Sequence, residues 1–395
     1  MAKPHKNIAI ITTIFDDWGG SEELWAKSIA HLKDMGVGKV TVYKNRINFA
    51  HPQFLRLQVL GVELKQLLPD QPLIKKAIYK VGDLAGKFMS RAGLISYNAD
   101  RSAEHFHDYL EQTNPALVII AQAINFDGLH LAYQCLELKI PYMIIMQKAV
   151  DFYWPDHAAR IYMKKALQGA EHCFFVSEHN KTLTEEQFGV RLPNSKVVFN
   201  PVKTNIAGPL PYPATDKGFK LACIGRLFII DKGQDILLRI MALPKWRERD
   251  ISVSIIGSGT DTDAIKEMAA LLGLTNVDFI GYAEDIEKVW SEHHALVLPS
   301  RSEGLPLVIT EAMAIGRVVI TTRSGGSAEL ITHGVNGFVA EVNERSLDEA
   351  MEQAWQRREE WEHIGIEASR SIKERLPEKP EKDFASEIVH ILDKQ

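Results

Sequence analysis

The chain changes its period again and again. Short runs of β-branched and other aliphatic residues alternate with longer amphipathic stretches. This alternation restricts the fold more than any other feature, because strand–helix–strand order builds parallel sheets covered by helices. In the first half, strands are expected at Asn7 to Thr13, Lys39 to Tyr43, Leu117 to Ala121, Tyr142 to Met146 and His172 to Val176. Gly19-Gly20-Ser21 turns into a helix that reaches about Met35. The second half repeats the pattern with Phe219 to Gly225, Ile251 to Ile256, Val277 to Ile280, Ala295 to Leu298 and Val318 to Thr321.

A chain of 395 residues is too long for one ordinary core and implies two. The stretch from Asn200-Pro201-Val202 to Pro211-Tyr212-Pro213 is dense in proline and glycine and reads as the linker. The expected division is residues 1–204, residues 205–376, and a last helix over 377–395. Each of the two large parts would be a Rossmann-like, doubly wound α/β unit, with a cleft between the carboxyl ends of the two sheets.

Hydrophobic residues at 46% and charged residues at 25% are globular values. The longest apolar runs are strand-sized, far short of a membrane span, and the start has no secretory h-region. Cys135, Cys173 and Cys223 are widely spaced in apolar stretches, the pattern of buried thiols in a reducing cytoplasm. Residues 1–204 hold 24 basic and 20 acidic side chains, the remainder 22 and 31. The front half is therefore the better candidate for an anionic partner. Its segment Lys75 to Arg91, basic and loosely amphipathic, is a candidate for peripheral membrane contact, although a solvated helix face is the stronger reading. No nucleic-acid partner is expected.

The segment richest in chemistry lies near residue 300. Glu303 sits in a Ser-Arg-Ser-Glu-Gly turn just after a short strand, and Glu311 sits eight positions on, inside the helix that follows. Pro306 suits the first turn of that helix. Gly304 and Leu305 present backbone N–H groups at the positive end of the helix dipole, a seat for phosphate. One carboxylate then meets a group at the helix mouth while the other reaches a hydroxyl-rich neighbour roughly 7–8 Å along. A sugar joined through pyrophosphate to a ribose has that layout. Two cations, Arg226 after a strand and Lys232 at the next helix, are suited to neutralise the pyrophosphate.

This order of residues resembles the donor site of retaining GT-B glycosyltransferases, family 4 in particular. Pro299-Ser300-Arg301-Ser302-Glu303-Gly304 is followed by Glu311-Ala312-Met313-Ala314-Ile315-Gly316, then Gly325-Gly326-Ser327-Ala328-Glu329, then Gly334-Val335-Asn336-Gly337-Phe338. Gly225-Arg226-Leu227 with Lys232-Gly233 matches the same pattern. The resemblance implies a C-terminal helix crossing back onto the first domain. It also implies transfer from a UDP- or GDP-linked sugar to a saccharide or lipid-linked acceptor, in polysaccharide or glycoconjugate assembly. In its terms Arg226 and Lys232 bind the diphosphate, Glu303 the sugar hydroxyls and Glu311 the ribose. Gly19 and Gly20 form a glycine-rich loop, and Tyr282 follows Gly281 where the family sets backbone against the base. Neither metal nor cofactor is expected, and the setting is the cytoplasm or the inner face of the membrane.

Gly257-Ser258-Gly259 reads as a β–α turn lining the cleft, with Gly257 on the donor side, because the third glycine of a dinucleotide fingerprint is missing. Asp261-Thr262-Asp263 falls at a helix start, where aspartate caps. The chain departs from the family where many members carry a histidine: Gln122 stands closest to that position, and Met146-Gln147-Lys148 ends another strand without one. Glutamine binds a hydroxyl but cannot titrate. His130 and His157 lie nearby. A nucleotide-sugar epimerase of the same architecture and a non-catalytic sugar-nucleotide-binding protein are the competing readings.

Overall fold

The computed structural model describes residues 6–68, 101–202 and 208–394. The basic stretch Lys75 to Arg91 and part of the linker lie outside these residues. Two parallel sheets form the described structure, one in each lobe.

The first sheet has seven strands: β1 (Ile8–Thr12), β2 (Val40–Lys44), β3 (Glu63–Gln66), β4 (Leu117–Gln122), β5 (Tyr142–Met146), β6 (His172–Phe175) and β7 (Ser195–Val197). They lie in the order β3-β2-β1-β4-β5-β6-β7. Alternate residues of its central strands enter different cores, which is why these strands read as unbroken aliphatic runs. Ile8, Ile10, Leu117 and Ile119 pack in one layer with the helix Glu23–Asp34. Ala9, Ile11, Val118 and Ile120 pack in the other, with the helices Arg101–Thr113, Leu129–Glu137 and His157–Gln168.

The second sheet runs β10-β9-β8-β11-β12-β13, from β8 (Phe219–Ile224), β9 (Ile251–Ile256), β10 (Val277–Gly281), β11 (Ala295–Leu298), β12 (Val318–Thr322) and β13 (Phe338–Ala340). In each sheet the strand order reverses direction once, between β1 and β4 and between β8 and β11. Loops leaving the sheet at such a point diverge and open a crevice.

The helix Pro380–Asp393 belongs to the first lobe's core rather than to the second. Phe384, Ala385, Ile388, Ile391 and Leu392 sit in the layer that holds Ile8 and Ile10. The Phe384 ring meets Phe174 edge-on, with centroids 5.1 Å apart. Lys196 pairs with Glu387, and Lys6 donates to the Leu392 carbonyl. The three cysteines are buried and free, and burial pushes the Cys173 and Cys223 thiols up to about 12.

The lobes meet through backbone. A Cβ on Gly304 would lie 1.8 Å from the carbonyl oxygen of Gln147, so only glycine permits this approach. Gly326 N–H donates to the Gly304 carbonyl at 2.6 Å, while its own Cα faces Ser177. Beside it, the Glu329 carboxylate of the second lobe accepts from the N–H groups of Glu178 and His179, at 3.2 and 2.7 Å. It thereby caps the first-lobe helix Glu178–Phe188 across the joint.

Two outcomes test this account. Phe384→Ala should cost about 3–5 kcal/mol in urea unfolding of the first lobe, and a loss below about 1 kcal/mol would show that the last helix is not part of that core. Gly304→Ala should force the lobes apart, seen as a larger radius of gyration in X-ray scattering and faster amide exchange at Glu178 and His179. An unchanged scattering curve and unchanged exchange would contradict the joint.

Candidate active site

The cleft between the lobes has a volume of about 1260 Å³ and is walled by the loops after β1, β4 and β5 on one side and after β8, β9 and β11 on the other. That is more than one drug-sized ligand fills. Gly19, Gly20, Arg226, Lys232, Gly257, Tyr282, Glu303, Gly304, Leu305 and Glu311 all line it. Both glutamates are buried, at 6% and 8% exposure, and face the cleft instead of bulk solvent.

Local geometry explains how each side chain arrives. The short helix Ile229–Lys232 ends at Gly233, held in the left-handed region at φ 63. A Cβ there would lie 2.2 Å from the Pro299 carbonyl, so glycine lets this turn press against the end of β11. Lys232 Nζ consequently lies 2.6 Å from Glu303 Oε1. Ser300 Oγ donates to the same oxygen at 2.7 Å. Asp231 is tied to the Glu303 loop by its backbone carbonyl, which accepts from Arg301 and Ser302 N–H at 2.7 and 3.1 Å. Its carboxylate faces the other way and meets Lys148 Nζ at 2.9 Å and Arg226 Nη2 at 3.5 Å. Arg226 Nη1 reaches Asp16 of the first lobe at 3.0 Å. Arg226 and Lys232 are thus both held by carboxylates, and a ligand with concentrated negative charge can take the carboxylates' place.

Lys148 is a first-lobe cation that reaches into this group, and only 14% of its side chain is exposed. Burial pulls its ammonium below the ordinary lysine range, against the pull of Asp231 and Glu303. Its place just beyond the end of β5 was the available signal, since residues leaving the carboxyl end of a parallel strand face the crevice. Asp16, Asp231 and Ser300 were likewise not anticipated.

The glycine at 257 has a backbone reason. It sits at φ 139, and a Cβ would lie 2.0 Å from the Gly225 carbonyl, so β9 turns tightly beside the loop that carries Arg226. Gly20 lets the first-lobe loop approach Leu307 at the helix mouth, where a Cβ would lie 3.1 Å from Leu307 Cδ1. In the same loop Glu22 accepts from Thr12 Oγ1 at 2.7 Å and from Gly19 N–H at 3.2 Å. Burial nonetheless pushes the Glu22 carboxyl above its ordinary value.

Three expectations need correction. Gln122 does not face the cleft: it is buried, and neither end of its amide has a hydrogen-bond partner. It continues the β4 face of Val118 and Ile120, which the period of two turns into the helix layer, while Ala123 and Ile124 reach the cleft. Pro306 is the residue before the helix Leu307–Ala314 rather than its first residue. Asp261 does not cap its own helix, because its carboxylate accepts from Ile229 N–H at 2.7 Å. Gln147 is also committed internally. It donates to the Ser21 carbonyl at 3.1 Å and exchanges hydrogen bonds with Asn200. Among the described residues no helix is long and apolar enough to cross a membrane.

Residues 218–357 match the family described as glycosyl transferases group 1. An uncharacterized glycosyltransferase of Haemophilus influenzae is 32% identical over 170 residues, 42% of this chain and 46% of that protein. A GDP-mannose-dependent alpha-(1-6)-phosphatidylinositol monomannoside mannosyltransferase of Mycolicibacterium smegmatis is 30% identical over 207 residues, 46% of this chain and 52% of that protein. The chain thus spans about half the length of the curated relatives it matches. The crystal structure of Anabaena Alr3699/HepE in complex with UDP superposes with a TM-score of 0.70 at 18% identity, over 98% of this chain and 100% of that one. The chain therefore has the GT-B fold, and its second lobe carries a glycosyl transferases group 1 domain over residues 218–357.

Proposed function

We propose that this protein is a retaining, metal-independent glycosyltransferase. It moves a sugar from a nucleotide-diphosphate donor to a saccharide or lipid-linked acceptor in polysaccharide or glycoconjugate assembly. The observation that carries the reading is the pairing of Lys232 with Glu303 at the mouth of the helix Leu307–Ala314, with Arg226 and Glu311 on the same cleft. The reaction takes place in the cytoplasm, at the inner face of the membrane when the acceptor is lipid-linked.

The donor diphosphate replaces Asp16 at Arg226 and Glu303 at Lys232. Lys232 is part-buried, and the exchange of carboxylate for phosphate keeps its charge compensated throughout. Released from Lys232, Glu303 accepts hydrogen bonds from hydroxyls of the donor sugar, and Glu311 does the same for the ribose. The bond from the anomeric carbon to the diphosphate oxygen breaks as the bond to the acceptor oxygen forms on the same face. The acceptor's proton passes to the leaving phosphate oxygen. Charge that builds on the diphosphate is met by Arg226 and Lys232, which are already in place. The HepE complex contains UDP, and the Mycolicibacterium relative is named for GDP-mannose; both support a nucleotide-diphosphate donor.

Thermal shift against UDP-, GDP- and ADP-sugars identifies the donor, since a ligand at 100 times its Kd stabilises by about 2.7 kcal/mol. With that donor, Lys232→Ala and Glu303→Ala should each lower turnover by about 10²–10³-fold when assayed below the reduced melting temperature that loss of the pair brings. Near-wild-type turnover in either variant rejects the assignment. Donor consumed equally well without any acceptor would favour an epimerase.

A further inference from the structure

The loop that leaves β1 is a strap with both ends tied down. At its start, the buried Lys44 at the end of β2 donates from Nζ to the Ile14 carbonyl at 2.6 Å. At its far end, Gly19 N–H donates to Glu22 Oε2 at 3.2 Å. The two ends touch, since a Cβ on Gly19 would lie 2.7 Å from Ile14 Cδ1. Within the strap, Asp17 accepts from Asn48 Nδ2 at 2.8 Å. Trp18 stacks on His51, with centroids 6.0 Å apart, and its Nε1 donates to Glu23 Oε1 at 3.0 Å.

Phe15 and Asp16 are left on the cleft between these anchors. Phe15 is wholly exposed. Asp16 reaches across the cleft to Arg226. Because Ile14 and Asp17 are both bonded to the body of the lobe, the backbone gives Asp16 little room to withdraw when another anion takes Arg226. Both partners of the Asp16–Arg226 pair are half-exposed, unlike those of Lys148–Asp231 and Lys232–Glu303. An exposed pair is worth at most a factor of about five in an equilibrium. It is weak enough to yield to a diphosphate and strong enough to oppose one.

Charge decides which ligand it opposes most. In a nucleotide sugar both phosphates are esterified or bridged. The freed nucleoside diphosphate carries about one further negative charge near neutral pH, because a terminal phosphate ionises a second time near pH 6. Cations placed to meet charge on the leaving group therefore hold the spent nucleotide more tightly than the donor. A fixed carboxylate beside them repels the more highly charged species more strongly.

Resting on the glycosyltransferase reading, we infer that Asp16 is an internal competitor of the nucleoside diphosphate at Arg226 and promotes release of this product. It yields Arg226 to the donor, remains at the edge of the occupied site, and pairs with Arg226 again as the spent nucleotide leaves. The strap's anchors, Lys44 and Glu22, keep it at that distance.

Calorimetric titration of the full chain tests this, with UDP, GDP and ADP and with UDP-glucose, GDP-mannose and ADP-glucose as probes. At least one nucleoside diphosphate should bind the wild type. Asp16→Asn, an exposed substitution of nearly the same shape, should bind that nucleotide about fivefold more tightly. It should tighten the sugar conjugate by a smaller factor, and both gaps should close at high salt. Asp17→Asn makes the same charge change on the same strap, away from Arg226, and should bind both ligands as the wild type does. Unchanged or weaker nucleotide binding in Asp16→Asn overturns the inference while the donor reading stands. Equal tightening in Asp17→Asn also overturns it and assigns the effect to the overall charge of the lobe. Equal tightening of nucleotide and conjugate removes the role in product release. If no nucleotide binds either the wild type or Asp16→Asn, the donor reading falls and the inference falls with it.

Discussion

The close approach of Gly304 to the Gln147 carbonyl is the contact on which the site depends. It brings two independent sheets together at the ends of their strands, where backbone groups and charged side chains leave the core. A side chain at position 304 would hold the lobes apart, and the pairs that cross the cleft would lengthen with them. Lys148 with Asp231 and Arg226 with Asp16 both cross it. The cap that Glu329 places on the helix Glu178–Phe188 braces the same joint from the side. A backbone contact is suited to this task because it has no rotamers to lose and sets the distance rigidly.

Within the joint, charges from the two lobes answer each other. Asp231 bridges by two routes: its carbonyl holds the loop that carries Glu303, and its carboxylate holds cations from both lobes. Removing either partner of the buried Lys148–Asp231 pair would be costly, whereas exchanging one anion for another need not be. Carboxylates of both lobes thus hold Arg226, Lys148 and Lys232 in place on the cleft. On the proposed reading, cations held this way need not move to meet charge developing on a leaving group.

Much of the fold was legible because the inner strands are buried on both faces. Tyr142–Met146, Ile251–Ile256 and Ala295–Leu298 have the bounds their aliphatic runs suggest. The strands that were not anticipated are short and lie at or near the sheet margins. Glu63–Gln66 is half-exposed along its whole length and reads Glu-Leu-Lys-Gln, and Ser195–Val197 and Phe338–Ala340 have three residues each. A strand with only one neighbour needs less hydrophobic signal. The site was legible where spacing along one element decides position, as for Glu303 and Glu311. Where the partner comes from the other lobe, as for Lys148 and Asp16, the chain can mark a residue as leaving a strand toward the crevice but not which charge it meets. Gln122 shows the opposite failure: it occupies the expected place along the chain, but the pleat turns its side chain to the other side.

The sequence by itself determined two helix-covered parallel sheets and a charged, glycine-rich second lobe, because hydrophobic period and turn chemistry act between near neighbours. Only the tertiary structure decided which carboxylate answers which cation and that the last helix completes the first lobe's core. Those outcomes depend on distances between segments far apart in the chain, and these are fixed by how the two lobes pack.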